Sequence, residues 1–168
     1  MTPGTLSIGI DMTPAVNAAL AAKIKYTLHE YGHDPNVTAY GLEAADALGI
    51  SPDQIFKTLV VSLSGLKDPL AVAIVPVSTQ LDLKSFAVAA HAKKAAMADV
   101  RDAERATGYV LGGISPLGQR KRLPTIVDLS ALKCRTIYVS AGKRGLQIEL
   151  APDDLIRLCA AETANICR

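Results

Sequence analysis

Four glycines fall within eleven residues of this chain, at Gly108, Gly112, Gly113 and Gly118. No helix or strand interior tolerates that density, because glycine loses the most backbone freedom on ordering and has no side chain to pack. The chain must therefore fold around a long loop here, with its regular elements on either side. Directly behind the glycines stands Arg120-Lys121-Arg122. Backbone N–H groups beside fixed positive charge suit an anionic ligand such as a phosphate ester. A solvated turn has the same composition, so the stretch alone leaves both readings open.

Before the loop, Thr13-Pro14 reads as a helix start, a capping hydroxyl followed by proline at the first helical position, and the helix continues to Ala22. Ile24, Tyr26 and Leu28 then alternate with polar residues, the period of a half-buried strand. Leu42 to Leu48 reads as a short helix stopped by Gly49. Phe56 to Leu63 and Leu70 to Val77 are dense in β-branched residues, with Gly65 and Pro69 between them, so two hairpin-joined strands are expected. Lys57 stands at the head of the first, as a solvated strand end or as a functional cation. Asp82 caps a helix to Ala90, and Ala98 to Ala106 forms another, closed by Gly108.

After the loop, strands are expected at Thr125 to Leu129, Thr136 to Ser140 and Leu146 to Leu150, the last two joined by the turn Gly142-Lys143-Arg144-Gly145. A helix over Pro152 to Ala161 follows, with Asp153 and Asp154 near its positive end. Hairpins mixed with helices, rather than regular βαβ alternation, point to an α+β fold: one domain with a mixed curved sheet and helices outside. Residues 1–11 read as a loose extension ahead of a single domain over 12–168.

The length of 168 residues suits one domain with a real core, and that core must be built from Ala, Val, Ile and Leu, since aromatics are only 4% and Trp is absent. A net charge of +2 limits any nucleic-acid contact to local patches. The uncharged run Pro69 to Leu81 is too short to span a membrane, and the first ten residues lack the pattern of a secretion signal, so a cytoplasmic location is expected. Cys134, Cys159 and Cys167 show no CxxC spacing, which fits incidental thiols better than a disulfide framework or a zinc site. His29-Glu30-Tyr31-Gly32-His33 matches HExxH. That motif binds metal only on a helix, where residues four apart share a face, and here it continues a strand-like period and meets Gly32 and Asp34-Pro35. No metal is expected.

Taken together, the motifs have a familiar order. Met12-Thr13-Pro14-Ala15-Val16, Asp53 to Leu59 (DQIFKTL), Gln80 to Lys84 (QLDLK), Thr107 to Pro124 with its GGISPLGQ core, and Tyr138-Val139-Ser140 with the GKRG turn resemble YbaK-type proteins. These are freestanding Cys-tRNA(Pro) deacylases, relatives of the editing domain of bacterial prolyl-tRNA synthetases. The resemblance runs from Met12 to about Cys159. It implies a mixed curved sheet or partial barrel flanked by helices, no cofactor, mischarged tRNA as substrate and prolyl-tRNA synthetase as partner.

It also implies roles for particular residues. Lys57 becomes the catalytic candidate, binding phosphate or ribose oxygen or stabilising an oxyanion. Thr58 follows it in the motif. Tyr31 and Tyr40 match pocket-lining aromatics, Gly112, Gly113 and Ile114 would present backbone N–H groups, and Ser140 a hydroxyl. Arg120, Lys121, Arg122, Lys143 and Arg144 are candidates for tRNA phosphates. The family is thought to attack the ester with the substrate's own thiol, which agrees with the absence of a recognisable Ser-His-Asp or Cys-His set. Gln147 departs from the aspartate usual at its position and is a weaker partner for the substrate ammonium. That departure leaves open a broader deacylase acting on alanine or another small residue, beside a third reading as a tRNA- or nucleotide-binding module without turnover.

Overall fold

The computed structural model describes residues 12–168; the extension expected over 1–11 lies outside the described residues. The chain begins with helix α1 (Pro14–Ala21), whose cap Thr13 accepts a 3.1 Å hydrogen bond from the Val16 N–H. The Thr13 hydroxyl also donates to the Ala141 carbonyl, which pins the helix start to a distant strand. Both bonds are buried, so Thr13→Ala is expected to cost about 1–2 kcal/mol, lowering the melting temperature by roughly 2–8 °C in a thermal scan.

Strand β1 (Tyr26–Glu30) and helix α2 (Tyr40–Leu48) follow, then the hairpin β2 (Phe56–Leu63) and β3 (Leu70–Pro76). Helix α2 begins two residues before the apolar pattern suggests, which brings Tyr40 onto it, and Gly49 ends it in the left-handed conformation at φ 66°. Next come α3 (Leu83–Ala89) capped by Asp82, the short β4 (Ala95–Met97), and α4 (Val100–Thr107) capped by Asp99. Beyond the glycine loop lie β5 (Thr125–Asp128), a 3-10 turn (Leu129–Lys133), β6 (Ile137–Lys143), β7 (Leu146–Leu150), α5 (Pro152–Cys159) and β8 (Glu162–Ala164).

The α+β class holds, and the sheet is divided in two. Five strands in the order β4-β2-β3-β5-β8 form a mixed sheet, with β3–β5 and β5–β8 parallel and the rest antiparallel. Three strands, β1-β7-β6, form an antiparallel sheet. Among the described residues a parallel bridge, Ile55 to Tyr138, joins the two, and they do not close into a barrel. The reason for β3's unbroken apolar run is that both its faces are covered. Val72 and Ile74 join the main core with Phe56, Ile137 and Ile148, while Ala71, Ala73 and Val75 join a second cluster with Phe86 and Ile166. The two phenylalanines, Phe56 and Phe86, are 2% and 0% exposed, and the small side chains pack around them.

HExxH falls across the end of β1 and the irregular segment after it, as its strand-like period suggests. His29 Nε2 pairs with Glu149 Oε1 at 2.9 Å, and His33 Nδ1 pairs with Glu43 Oε1 at 2.7 Å on a different element. The two imidazoles are thus committed to separate partners.

Candidate active site

Strand β4 covers only Val61 to Leu63 of β2, so the strand's first half keeps one edge without a sheet partner among the described residues. A cavity of about 320 Å³ opens beside that edge, just past the Ile55–Tyr138 junction. Consecutive residues Ile55 to Leu59 line one side, and Ser140 of β6 and Gln147 of β7 line another. Tyr31, the segment 38–42 that includes Tyr40 and Leu42, Val77, Leu111, Gly112 and Ile114 complete the wall among the described residues. Residues named from sequence therefore converge from four separate parts of the chain: Lys57 and Thr58, Tyr31 and Tyr40, Gly112 and Ile114, Ser140 and Gln147.

Lys57 is the cation among the described residues that line this space. Its Nζ donates a 3.0 Å hydrogen bond to the Thr79 carbonyl and keeps two further protons for other acceptors. Burial pushes its pKa below the ordinary 10.5, because desolvation disfavours the charged form, while the nearby Cys167 sulfur acts weakly the other way. Two buried polar atoms of the wall have no partner, Thr58 Oγ1 and Gln147 Oε1. Gln147 is only 7% exposed, so an empty acceptor there is costly unless something else donates to it. Ser140 faces Gln147 across the β6–β7 ladder, and its Oγ accepts from the Gly142 N–H at 3.2 Å. Tyr31 hydrogen-bonds with Gln147; burial raises its phenol pKa, and hydrogen bonds from the Gly145 backbone and Gln147 partly offset this.

Arg144 ties the mouth together. Its guanidinium stacks 4.7 Å from the centre of the Tyr40 ring and donates to the Tyr40 hydroxyl at 3.1 Å. It also donates to the Leu111 carbonyl from Nε at 3.1 Å and from Nη2 at 2.8 Å. Gly112 is glycine because a Cβ there would lie 2.5 Å from Arg144 Nε, and because its φ is +88°.

Gly113 departs from the expected role. Its N–H donates to the Val110 carbonyl at 2.9 Å, and it does not line the cavity. What it contributes is closeness: a Cβ there would lie 2.8 Å from Lys143 Cα, so the glycine loop rests directly on the backbone of the β6–β7 turn. The basic run also lies apart. Arg120, Lys121 and Arg122 are exposed, and the first two donate their backbone N–H groups to the Thr107 and Ala106 carbonyls at the end of α4. Arg122 lines a separate, smaller groove with Cys159 and Pro116. Lys143 is half-buried in the turn beside the loop.

The sequence does not single out Leu111, Leu42, Phe56, Leu59 and Val77 as wall residues, because an apolar helix, loop or strand residue beside a cavity has the same pattern as one in a core. Nor does it single out Thr79, whose contact with Lys57 is made by a main-chain carbonyl that any residue type would supply.

A family model for the aminoacyl-tRNA editing domain matches residues 34–158. An Enterococcus faecalis protein named as a Cys-tRNA(Pro)/Cys-tRNA(Cys) deacylase, EbsC, is 39% identical over 155 residues, covering 92% of each chain. Among solved structures, one described as a trans-editing enzyme for prolyl-tRNA synthetase superposes with a TM-score of 0.76 at 22% identity, covering 94% of this chain and 99% of that one. The protein APE2540 superposes at 0.81 and 22% identity, covering 93% and 100%. At that identity both structures speak for the fold.

Proposed function

From the premise that this chain belongs to the aminoacyl-tRNA editing family, we propose that it hydrolyses the aminoacyl ester of mischarged Cys-tRNA(Pro). The observation that carries the reading is the make-up of the cavity wall: a half-buried ammonium, Lys57, with unpaired acceptors on Thr58 and Gln147, and no carboxylate, imidazole or thiol among the described lining residues. Ser140 and Thr58 have no base beside them in that wall, so neither hydroxyl is activated. That leaves the substrate's own thiol or a bound water as the attacking group, and the reading takes the thiol.

A cysteinyl ester carries one. Its thiolate sulfur bonds to the ester carbonyl carbon, and the bond from that carbon to the ribose 3′ oxygen breaks. The thiol proton passes to water, the ribose oxygen takes one up, and water opens the resulting thiolactone to cysteine. The protein holds the reacting atoms together and stabilises charge. Lys57 faces the developing oxyanion, Gln147 Oε1 accepts from the α-ammonium, and Tyr40 with Arg144 meets the terminal nucleotide at the mouth. The need for such a site is physical: a synthetase pocket built for proline cannot strongly reject cysteine, a near-isostere. With a net charge of only +2, the chain binds tRNA weakly by itself and works in the cytoplasm beside prolyl-tRNA synthetase, which selects the tRNA.

Gln147 favours one second reading. A neutral acceptor in place of a carboxylate holds the substrate amine less tightly, which admits other small residues. Deacylation of Cys-tRNA(Pro) and Ala-tRNA(Pro) separates the two. Loss of cysteine at least ~100-fold faster than alanine is expected where the substrate thiol attacks. Equal rates mean that a bound water attacks and the range is broad. A salt-dependent shift of tRNA with no change in either ester's half-life leaves a binding module.

A further inference from the structure

The last residues of the chain fold back behind Lys57. Arg168 and Gln80 exchange backbone hydrogen bonds at 2.9 and 3.3 Å, Leu81 bridges Cys167, and the Asp82 N–H donates to the Ile166 carbonyl at 2.7 Å. This strap holds the segment 78–82, whose Thr79 carbonyl receives the Lys57 ammonium. The strap is itself anchored in the core. The Ile166 N–H donates to Asp128 Oδ1 at 3.0 Å, and Ser130 donates to Asp128 Oδ2 from its N–H at 3.1 Å and its hydroxyl at 2.5 Å. Asp128 is only 3% exposed.

Side chains close the link. Thr79 Oγ1, which donates to the Pro76 carbonyl at 2.9 Å, lies 3.2 Å from Cys167 Sγ, and the Cys167 thiol in turn interacts with the Asp128 carboxylate. A continuous path therefore runs from a buried carboxylate through a thiol and a hydroxyl to the residue that holds Lys57. None of Asp128, Cys167 and Thr79 lines the cavity.

We infer that the C-terminal strap, through Asp128, Cys167 and Thr79, fixes the Lys57 ammonium in the cavity, so that Cys167 and Thr79 are positioning residues of the deacylation. The inference rests on Lys57 acting in that reaction. A lysine on a four-carbon stem is a mobile point charge, and a displacement of about an ångström is enough to cost a large part of its effect. Burial holds the Cys167 thiol up at about 11, so it stays a neutral hydrogen-bonding group at neutral pH.

The test is steady-state deacylation of Cys-tRNA(Pro) by Cys167→Ala, Cys167→Ser and Thr79→Val, with Lys57→Ala in parallel and a melting curve for each. Cys167→Ala and Thr79→Val are expected to lower kcat about 10-fold with KM within twofold, and Cys167→Ser to restore most of it. Wild-type kcat in both variants overturns the inference. So does a loss that follows the melting temperature and that serine does not rescue, which marks a structural role only. If Lys57→Ala is itself fully active, the reading of Lys57 fails first. If it is inactive while the strap variants are normal, only the strap inference fails.

Discussion

Lys57→Ala is expected to lower kcat/KM for Cys-tRNA(Pro) about 10²–10³-fold, the usual cost of removing one charge-stabilising group from an oxyanion site. The fold should survive. Lys57 is half-buried and makes one side-chain hydrogen bond, to the Thr79 carbonyl, so its removal relieves a desolvated charge while leaving the strand in place. Lys57→Arg should not restore activity, because a planar guanidinium is larger than the ammonium and differently shaped. The pH dependence follows from the sign of the shift. An ammonium that stabilises negative charge works below its pKa and stops as pH rises through it. Burial places that limb below 10.5, so enzyme-dependent loss of ester, corrected for the uncatalysed rate, should fall at lower pH than an exposed lysine would allow. The measurement is single-turnover ester half-life across pH. Wild-type rates from Lys57→Ala, or a profile without an alkaline limb, would remove Lys57 from the mechanism.

Gly113→Ala is expected to lower kcat/KM roughly 10–100-fold without touching any lining side chain. The added Cβ would meet Lys143 Cα at 2.8 Å, Lys143 C at 3.1 Å and Arg144 N at 3.2 Å. All three are main-chain atoms, which cannot swing aside as a flexible side chain would. The loop must therefore lift off the β6–β7 turn, carrying Gly112 and Ile114 out of the cavity wall and pulling the Leu111 carbonyl from Arg144. Overpacking of this kind also costs about 1–3 kcal/mol, or roughly 2–12 °C in melting temperature. Gly32→Ala is the matched control, since a Cβ there has nothing within 4 Å and its φ is not positive. Unchanged kinetics for Gly113→Ala would show that the loop's seat on the turn does not shape the site.

Much of this site was legible because its parts carry local signatures. The glycine loop, the FKT strand head and the GKRG turn each have a composition that restricts the backbone directly, and the cavity draws on all three. Other parts carry none. Strands β4 and β8 are three residues each, AAM and ETA, too short to show a period, and they exist because β2 and β5 present free edges for them. The resemblance implies a substrate-facing N–H at Gly113; here that N–H is bonded to Val110, and the group approaching the glycine is the protein's own backbone.

The amino-acid sequence by itself determined the α+β class, the ends of α1 and α3, the glycine stop of α4, the β2–β3 and β6–β7 hairpins and the identity of the loop. Each depends on contacts within a few residues: a cap, an alternation, a turn. The tertiary structure alone decided that the strands divide into two sheets, that Ser140 stands opposite Gln147, that Arg144 bridges Tyr40 to Leu111, and that Arg120 to Arg122 lie away from the cavity. It also brought Cys167 behind Lys57, across 110 positions of chain. Those placements depend on which faces and edges remain to be covered once the local elements exist, and burial acts on the whole molecule without regard to distance along the chain.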